Sequence, residues 1–282
     1  MADDVILRVI GALVIAGLII GITTPIYLIA NNMSGNNTSL VDLTGMLTRL
    51  NGLAHHISYN FIEEKEIGVN GAHALRLDIN LLDGYIEVGR GSVNTIVIEV
   101  YSTSYTADGY EASFNVQSGD LHIMVKSPTI KLVVQIPSEM IVKGVNLDMS
   151  NGIAKINMAE IKGPISFVID NGILESELKN IVSNNTLIKM SNGVVKLSLQ
   201  YSHIDLSEIK IQINDGIFKA SIRVPNNTML KVTPNILNGV VHVSLNGKNI
   251  TIYEDPGYNV SSSRLDCGIT VLNGYAKIDF ER

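Results

Sequence analysis

The sequence predicts an all-β protein: a β-solenoid of rungs about 20–23 residues long, preceded by an N-terminal transmembrane helix. Three observations point there. A phrase centred on Asn-Gly or Asp-Gly recurs along the second half of the chain, apolar residues alternate with polar ones on both sides of it, and an uncharged apolar stretch opens the sequence. An antiparallel β-sandwich or meander is the other architecture compatible with the same alternation.

The opening stretch comes first in the chain. No charged residue lies between Arg8 and Asp42, and residues 9–30 are mostly apolar. As a helix they span about 33 Å, close to the roughly 30 Å of a bilayer core. A cleaved signal peptide has a shorter apolar core and a small-residue cleavage site, and Leu28-Ile29-Ala30 is a poor one. An uncleaved anchor is therefore expected, ahead of a cleaved signal or a buried soluble helix. Arg8 is the positive charge that precedes the span and none follows until Arg49, which places the N-terminus in the cytoplasm and the bulk of the chain outside it. Gly17 and Gly21 form a small-xxx-small pair that brings such helices together in some membranes.

The polar stretch after the span carries N-x-S/T sequons at Asn32, Asn36 and Asn37, and four more follow at Asn184, Asn226, Asn249 and Asn259. On an exterior chain these are candidate glycosylation sites. Residues 41–66 place Leu43, Met46, Leu50, Leu53 and Ile57 at helical spacing, so a short amphipathic helix that caps the β domain is expected there. The predicted organisation is a cytoplasmic tip and anchor over 1–30, a polar linker with the capping helix over 31–66, and one repetitive β domain over 67–282.

Within that domain the repeated phrase is counted from its glycine. Gly152, Gly172, Gly193, Gly216, Gly239 and Gly274 each follow Asn or Asp, and Gly84 in LLDGYIEV is a fainter earlier copy. Ile153, Ile173, Val194, Ile217, Val240 and Tyr275 follow the glycines directly; Met158, Leu178, Leu199, Ile222, Leu245 and Phe280 stand six residues on. Apolar residues also stand three and five before each glycine, except that the Gly239 copy has Pro234 at the second of these places. Each phrase is strand, turn, strand, with the glycine free to take a positive φ. In a sandwich every Asn-Gly would be a hairpin turn. The near-constant intervals of 20, 21, 23 and 23 residues from Gly152 to Gly239, and the apolar residue after each glycine, favour stacked rungs of fixed circumference. The longer interval to Gly274 holds an inserted loop or a degenerate extra turn. Lys155, Lys196, Lys219 and Lys277 stand three after their glycines and form a solvated row, interrupted by Glu175 and His242, that guards against aggregation or, as the sharper reading, binds anions.

Little in the sequence points to catalysis. The histidines His55, His56, His73, His122, His203 and His242 form no metal-ligand spacing, and no nucleophile elbow, P-loop or dinucleotide fingerprint occurs. No cofactor, metal or catalytic residue is expected. Cys267, the single cysteine, is expected as a small buried hydrophobe. A formal charge of -6 without a basic patch gives no reason to expect nucleic acid.

The order LRLDINLLDGYIEV, TIVIEVY, GDLHIMV, KLVVQIPSEM, VNLDMSNGIAKI and ISFVIDNGILES, with Ile136-Pro137 and the Ser-Asn-Gly phrases at 150–152 and 191–193, resembles the putative-adhesin β-solenoid family of bacterial and archaeal envelope proteins. The resemblance covers about residues 74–282. It implies a β-solenoid, a short N-terminal anchor and no catalytic residues. The expected function is that of a non-enzymatic, single-pass membrane protein presenting a rigid β domain outside the cytoplasm for adhesion, self-assembly or scaffolding. Its expected partners are membrane lipid through residues 9–30, a second copy or an envelope protein, and a glycan. An accessory or sensing subunit of an envelope complex is the second reading. A polysaccharide-acting β-helix enzyme, with Lys196, Lys219 and Asp215 in a groove, is the third.

Overall fold

The computed structural model describes residues 59–92, 94–103, 108–115 and 117–282. The predicted anchor at 9–30, the sequons at Asn32, Asn36 and Asn37, the capping helix over 41–58, and His55 and His56 lie outside them. Among the described residues no helix is long and apolar enough to cross a membrane. The chain divides into two compact units at Ser58/Tyr59, and the second, Tyr59–Arg282, holds the described strands.

This second unit is all-β. Its strands belong to one sheet, and a single 3-10 turn at Tyr258–Val260 is the one helical element among the described residues. The strands flanking the corner glycines form two parallel ladders. The strands that lead into the corners are Ile141–Met149, Ile165–Ile169, Asn185–Met190, Leu206–Ile213, Arg264–Val271 and Met229–Ile236, each pairing in parallel with the next. Those that leave the corners are Ile153–Ile161, Ile173–Val182, Val194–His203, Ile217–Arg223, Tyr275–Glu281 and Val240–Leu245, paired likewise. The long strand Ala74–Gly91 starts both ladders, its first half pairing with Ile141–Met149 and its second with Ile153–Ile161. The two strands on either side of a glycine do not form a hairpin. The one pairing between such strands is a parallel bridge, Val142 to Ile161.

The ladders continue through the corners. Val194 N–H donates to Gly172 O at 2.9 Å, and Ile217 N–H to Gly193 O at 2.9 Å; the residues before Gly172, Gly193, Gly216, Gly274 and Gly239 also donate to the neighbouring corner, as Asn192 N–H does to Asp170 O at 2.8 Å. The core fills from alternate positions of both strands. Leu147, Phe167, Ile188, Ile211 and Ile269, five before their glycines, are at most 1% exposed. Four after the glycine, Ile156, Leu197, Ala220 and Ile278 are buried, with Ser176 among them. The residues two after the glycine also point inward: Ala154, Leu174, Val195, Phe218 and Ala276 are fully buried. The apolar residues directly after the glycines therefore lie on the opposite side of the strand from that core, by the period of two, although Ile173, Val194 and Ile217 are still no more than 6% exposed.

Sequence order and spatial order part company at the end of the chain. The last copy, around Gly274, lies between the Gly216 and Gly239 copies. Residues 246–263 make the excursion that permits this, with the hairpin strand Lys248–Ile250 against Val240–Leu245 and Tyr253–Glu254 against Met229–Ile236. The Gly239 copy thus lies at the edge of both ladders. That suits Pro234, which has no N–H to give a neighbour and is tolerated at an edge.

At the other end, Thr95–Ser102, Tyr110–Asn115 and Asn60–Gly68 add antiparallel pairings, with Asp120–Pro137 joining them to Ala74–Gly91. Asn60–Gly68 is a strand, so the β region begins ahead of the boundary at 67 expected from sequence, and residues 60–66 are not helical. Its Glu63, Glu64, Lys65 and Glu66 are exposed, and charge on an edge strand discourages further strand addition. Residues 120–137 form one strand that turns midway, its pairing shifting from Asp83–Lys126 to Tyr85–Lys131.

Tyr201 and Asp255 are buried polar side chains that are satisfied inside the fold. Tyr201 is 4% exposed and its hydroxyl lies 2.8 Å from Thr186 Oγ1, itself 1% exposed. Burial, opposed by the Thr186 hydrogen bond, keeps the phenol well above its ordinary pKa. Tyr201→Phe strands the threonine hydroxyl and is expected to cost about 1–3 kcal/mol in urea unfolding, most of which Thr186→Val in the same chain should recover.

Asp255, 6% exposed, accepts from Tyr253 Oη at 2.6 Å, from Leu230 N–H at 2.6 Å and from the Arg282 guanidinium. Burial pushes its carboxyl up, but the hydrogen bonds from Arg282, Tyr253 and Leu230 prevail and hold it below the ordinary value. A depressed folded pKa gives stability that is complete above the unfolded value, about 3.9, and is lost as pH falls through the folded one. Asp255→Asn should lower stability at neutral pH by about 2 kcal/mol and flatten the acid limb of a stability-against-pH curve below about pH 4.

Candidate functional site

The structure brings the glycines of all the phrases, with Gly84, into one column. Its spatial order is Gly84, Gly152, Gly172, Gly193, Gly216, Gly274 and Gly239. Each neighbour's backbone leaves no space for a side chain: a Cβ on Gly193 would stand 2.2 Å from Gly172 O, and one on Gly172 would stand 2.4 Å from Gly152 O. Gly239, at the edge, lacks the positive φ of the others.

Beside this column the residues three after each glycine form an outward row. In spatial order it reads Glu87, Lys155, Glu175, Lys196, Lys219, Lys277 and His242. Its first part is internally neutralised. Glu87 takes Lys131 at 3.4 Å and Lys155 at 3.8 Å, and Glu175 takes Lys196 at 2.7 Å. Tyr85 donates its hydroxyl to Glu87, and Lys131 and Lys155 stand 4.8 and 5.7 Å from its ring centroid. Burial, with Glu87 next, pushes the Tyr85 phenol far up.

The other part differs. Lys196, Lys219 and Lys277 are directly paired on neighbouring strands. Lys277 lies 3.5 Å from Asp279, whereas Lys219 is half-buried and makes no ion pair among the described residues. Like charges facing each other across strands are destabilising. Tyr275 and His242 stand beside them with ring centroids 5.8 Å apart, and the Tyr275 phenol is raised by burial and then by Asp279. The residues five after the glycine add hydroxyls at Ser198 and Ser221, which face each other across the same pair of strands. This surface, with cations, an aromatic ring and hydroxyls in register, is the candidate contact site. It suits an anionic, hydroxyl-bearing ligand laid across the strands. Neighbouring strands are about 4.8 Å apart, so the row offers cations at that repeat.

Of the residues named for a polysaccharide enzyme, Lys196 and Lys219 pair across neighbouring strands and Asp215 belongs to the corner. Lys196 is tied to Glu175, Lys219 lies one strand along the row, and Asp215 is exposed at the corner, before Gly216. No group of three His, Cys, Asp or Glu side chains among the described residues is placed to hold a metal ion. Cys267 is fully buried, and burial followed by Asp266 pushes its thiol far up. The described sequons Asn184, Asn226, Asn249 and Asn259 all have exposed asparagines. Sequence reasoning missed the tyrosine and Lys131 at the neutralised end, because Lys131 belongs to a strand outside the repeats. It also missed that Lys219 and Lys277 are neighbours, because their rungs are adjacent only in space.

No protein-family model and no curated protein matches the chain. The solved structures it is similar to include proteins described as adhesins, the family that the sequence resembles. A putative cell adhesion protein from Clostridium sporogenes aligns at TM-score 0.48 and 16% identity, covering 79% of this chain and 100% of that one. A putative adhesin from Bacteroides fragilis aligns at 0.35 and 11%, over 77% and 98%. A protein described as a putative lipid binding protein, from Parabacteroides distasonis, aligns at 0.24 and 11%, over 77% and 96%. At these scores the likenesses identify neither an activity nor a ligand for this chain.

Proposed function

We propose that the chain is a membrane-anchored surface protein whose β unit is a solenoid, and that it works by presenting a fixed outward face for adhesion or scaffolding, without catalysis. The observation that carries this reading is the in-register parallel stacking of the repeats. It repeats each outward position at one spacing and holds Lys219 between two other lysines without a carboxylate of its own. Such an arrangement costs stability in isolation and is offset when an anionic partner lies on it. Residues 9–30 supply the bilayer span and put the β unit on the exterior. An acidic envelope glycan fits the lysines, the tyrosine and the serine hydroxyls together.

Capture of the intact protein from its native membrane, with a Lys219→Glu/Lys277→Glu variant as control, tests the proposal. The expected result is that envelope glycan or glycoprotein accompanies the wild type and is lost with the variant. Equal recovery with both, or recovery of cytoplasmic components alone, would overturn it.

A second reading, an accessory subunit of an envelope complex, is favoured by the edge rung. Ile236, Leu237 and Ile252 are 45%, 71% and 72% exposed, and Thr233–Ile236 and Val240–His242 have strand neighbours on one side. Under that reading the captured partner is a protein, and its binding depends on Leu237 and not on Lys219.

A further inference from the structure

All four described sequons lie in the connections that return from one rung to the next, and none lies at the Asn-Gly corners. Asn184 falls between Ile173–Val182 and Asn185–Met190, and Asn226 between Ile217–Arg223 and Met229–Ile236; Asn249 and Asn259 are in the excursion after Val240–Leu245. The corner asparagines Asn151, Asn171, Asn192, Asn238 and Asn273 escape the motif because the second residue after each is Ile, Val or Tyr.

The four sequons are not equivalent in the folded chain. N-linked transfer needs both the asparagine amide and the hydroxyl two residues on. At Asn184 that hydroxyl is Thr186, 1% exposed and bonded to Tyr201 at 2.8 Å. At Asn226 it is Thr228, also 1% exposed and 3.2 Å from Ser263 Oγ. At Asn259 the amide itself donates to Glu254 at 3.5 Å, and Ser261 donates to Ser263 O at 2.8 Å. Asn249 and Thr251 are both exposed, and neither side chain is engaged. Asn249 sits on Lys248–Ile250, a strand of three residues with a neighbour on one side, just beyond a turn in which Asn246 and Gly247 have φ of 49° and 76°. That is the signature of a tight hairpin whose tip peels at low cost.

From this geometry we infer that Asn249 is an N-glycan acceptor open in the folded protein, while Asn184 and Asn226 accept only before their rungs close. In the transfer, Asn249 Nδ2 attacks the anomeric carbon of a lipid-diphosphate-linked oligosaccharide. A C–N bond forms, the C–O bond to phosphate breaks, the amide gives up one proton and the lipid diphosphate leaves with the electron pair. Glycans on Asn184 and Asn226 would cover the return connections, whereas one on Asn249 stands at the sheet edge opposite Ser244, beside the end of the row at His242. In the cell this rests on the exterior placement proposed above.

The test offers full-length protein in detergent micelles, folded or urea-unfolded before dilution, to an oligosaccharyltransferase with a lipid-diphosphate-linked oligosaccharide. Site-resolved glycopeptide mass spectrometry then scores each asparagine. In the folded chain, occupancy of Asn249 is expected to exceed that of Asn184 and Asn226 by more than about tenfold, because those two need local opening. In the unfolded chain the three should come within a few-fold of one another, and Asn249→Gln should remove the folded-state product. Equal occupancy of the three in the folded chain, or an unmodified Asn249 in both states, would overturn the inference. Glycan missing from the protein in its native cells, alongside transfer to Asn249 in vitro, counts against the exterior placement alone.

Discussion

Gly193→Ala is expected to destabilise the protein by about 3–5 kcal/mol, seen as a lower midpoint in urea unfolding. The residue has φ of 133°, which L side chains rarely adopt, and the new Cβ would meet Gly172 O at 2.2 Å. That oxygen accepts Val194 N–H, so it cannot retreat without breaking the ladder on which the next rung depends. Gly247→Ala separates the two contributions. Gly247 also has a positive φ, 76°, but a Cβ there meets nothing within 4 Å. Its replacement should cost about 1 kcal/mol, the conformational share alone. A comparable loss at both positions would mean that the close approach between rungs contributes nothing.

Arg90→Leu is the second large effect, expected at about 3–5 kcal/mol by the same measurement. The guanidinium is half-buried at the end of Ala74–Gly91, where Nη1 donates to Pro137 O at 2.9 Å and to Met140 O at 2.8 Å, and Nη2 donates to Ala159 O. These three carbonyls belong to the end of Asp120–Pro137, to the turn after it and to the end of a corner-leaving strand, and the fork ties the three together. Burial lowers the pKa of the guanidinium and Glu160 acts against it, and the group stays charged because even a lowered arginine lies far above neutral pH. Leucine fills similar space but removes all three donations, leaving Pro137 O with Met140 N–H alone. Arg90→Lys keeps the charge on a single nitrogen that cannot serve the same fork, so it should recover only part of the loss.

The repeat was legible because a corner that stacks on itself imposes glycine, and a strand with one face in a core imposes alternation. Those constraints act within each rung and show at fixed offsets from Gly152 to Gly274. The order of the last two rungs was hidden because it depends on which rung takes the edge, although Pro234 and the long interval after Gly239 both mark the Gly239 copy as different. The residue two after each glycine was hidden as core because the residue directly after the glycine is large and apolar as well, so the alternation is broken at the corner. Arg90, which stands 69 positions before Ala159, and Asp255, which meets Arg282, find these partners by tertiary contact alone. The contact site was half legible: the lysine row stood out, but the neutralised end depends on Lys131, which lies outside the repeat, and the position of Lys219 between two lysines depends on Lys277 standing next to it.

Parallel stacking requires the strand after each Asn-Gly to pair with its counterpart in the next rung in space, and not with the strand before the same glycine. Two double-cysteine variants of the full-length chain separate these arrangements. Stacking places Lys196 opposite Lys219, while a hairpin on Asn192-Gly193 would place Lys196 opposite Lys189. Under mild oxidation, Lys196→Cys/Lys219→Cys should form an intramolecular disulfide rapidly and Lys189→Cys/Lys196→Cys should not, with Cys267 remaining buried and inert. The reverse result, rapid closure of the 189–196 pair and none of the 196–219 pair, would contradict the stacked arrangement.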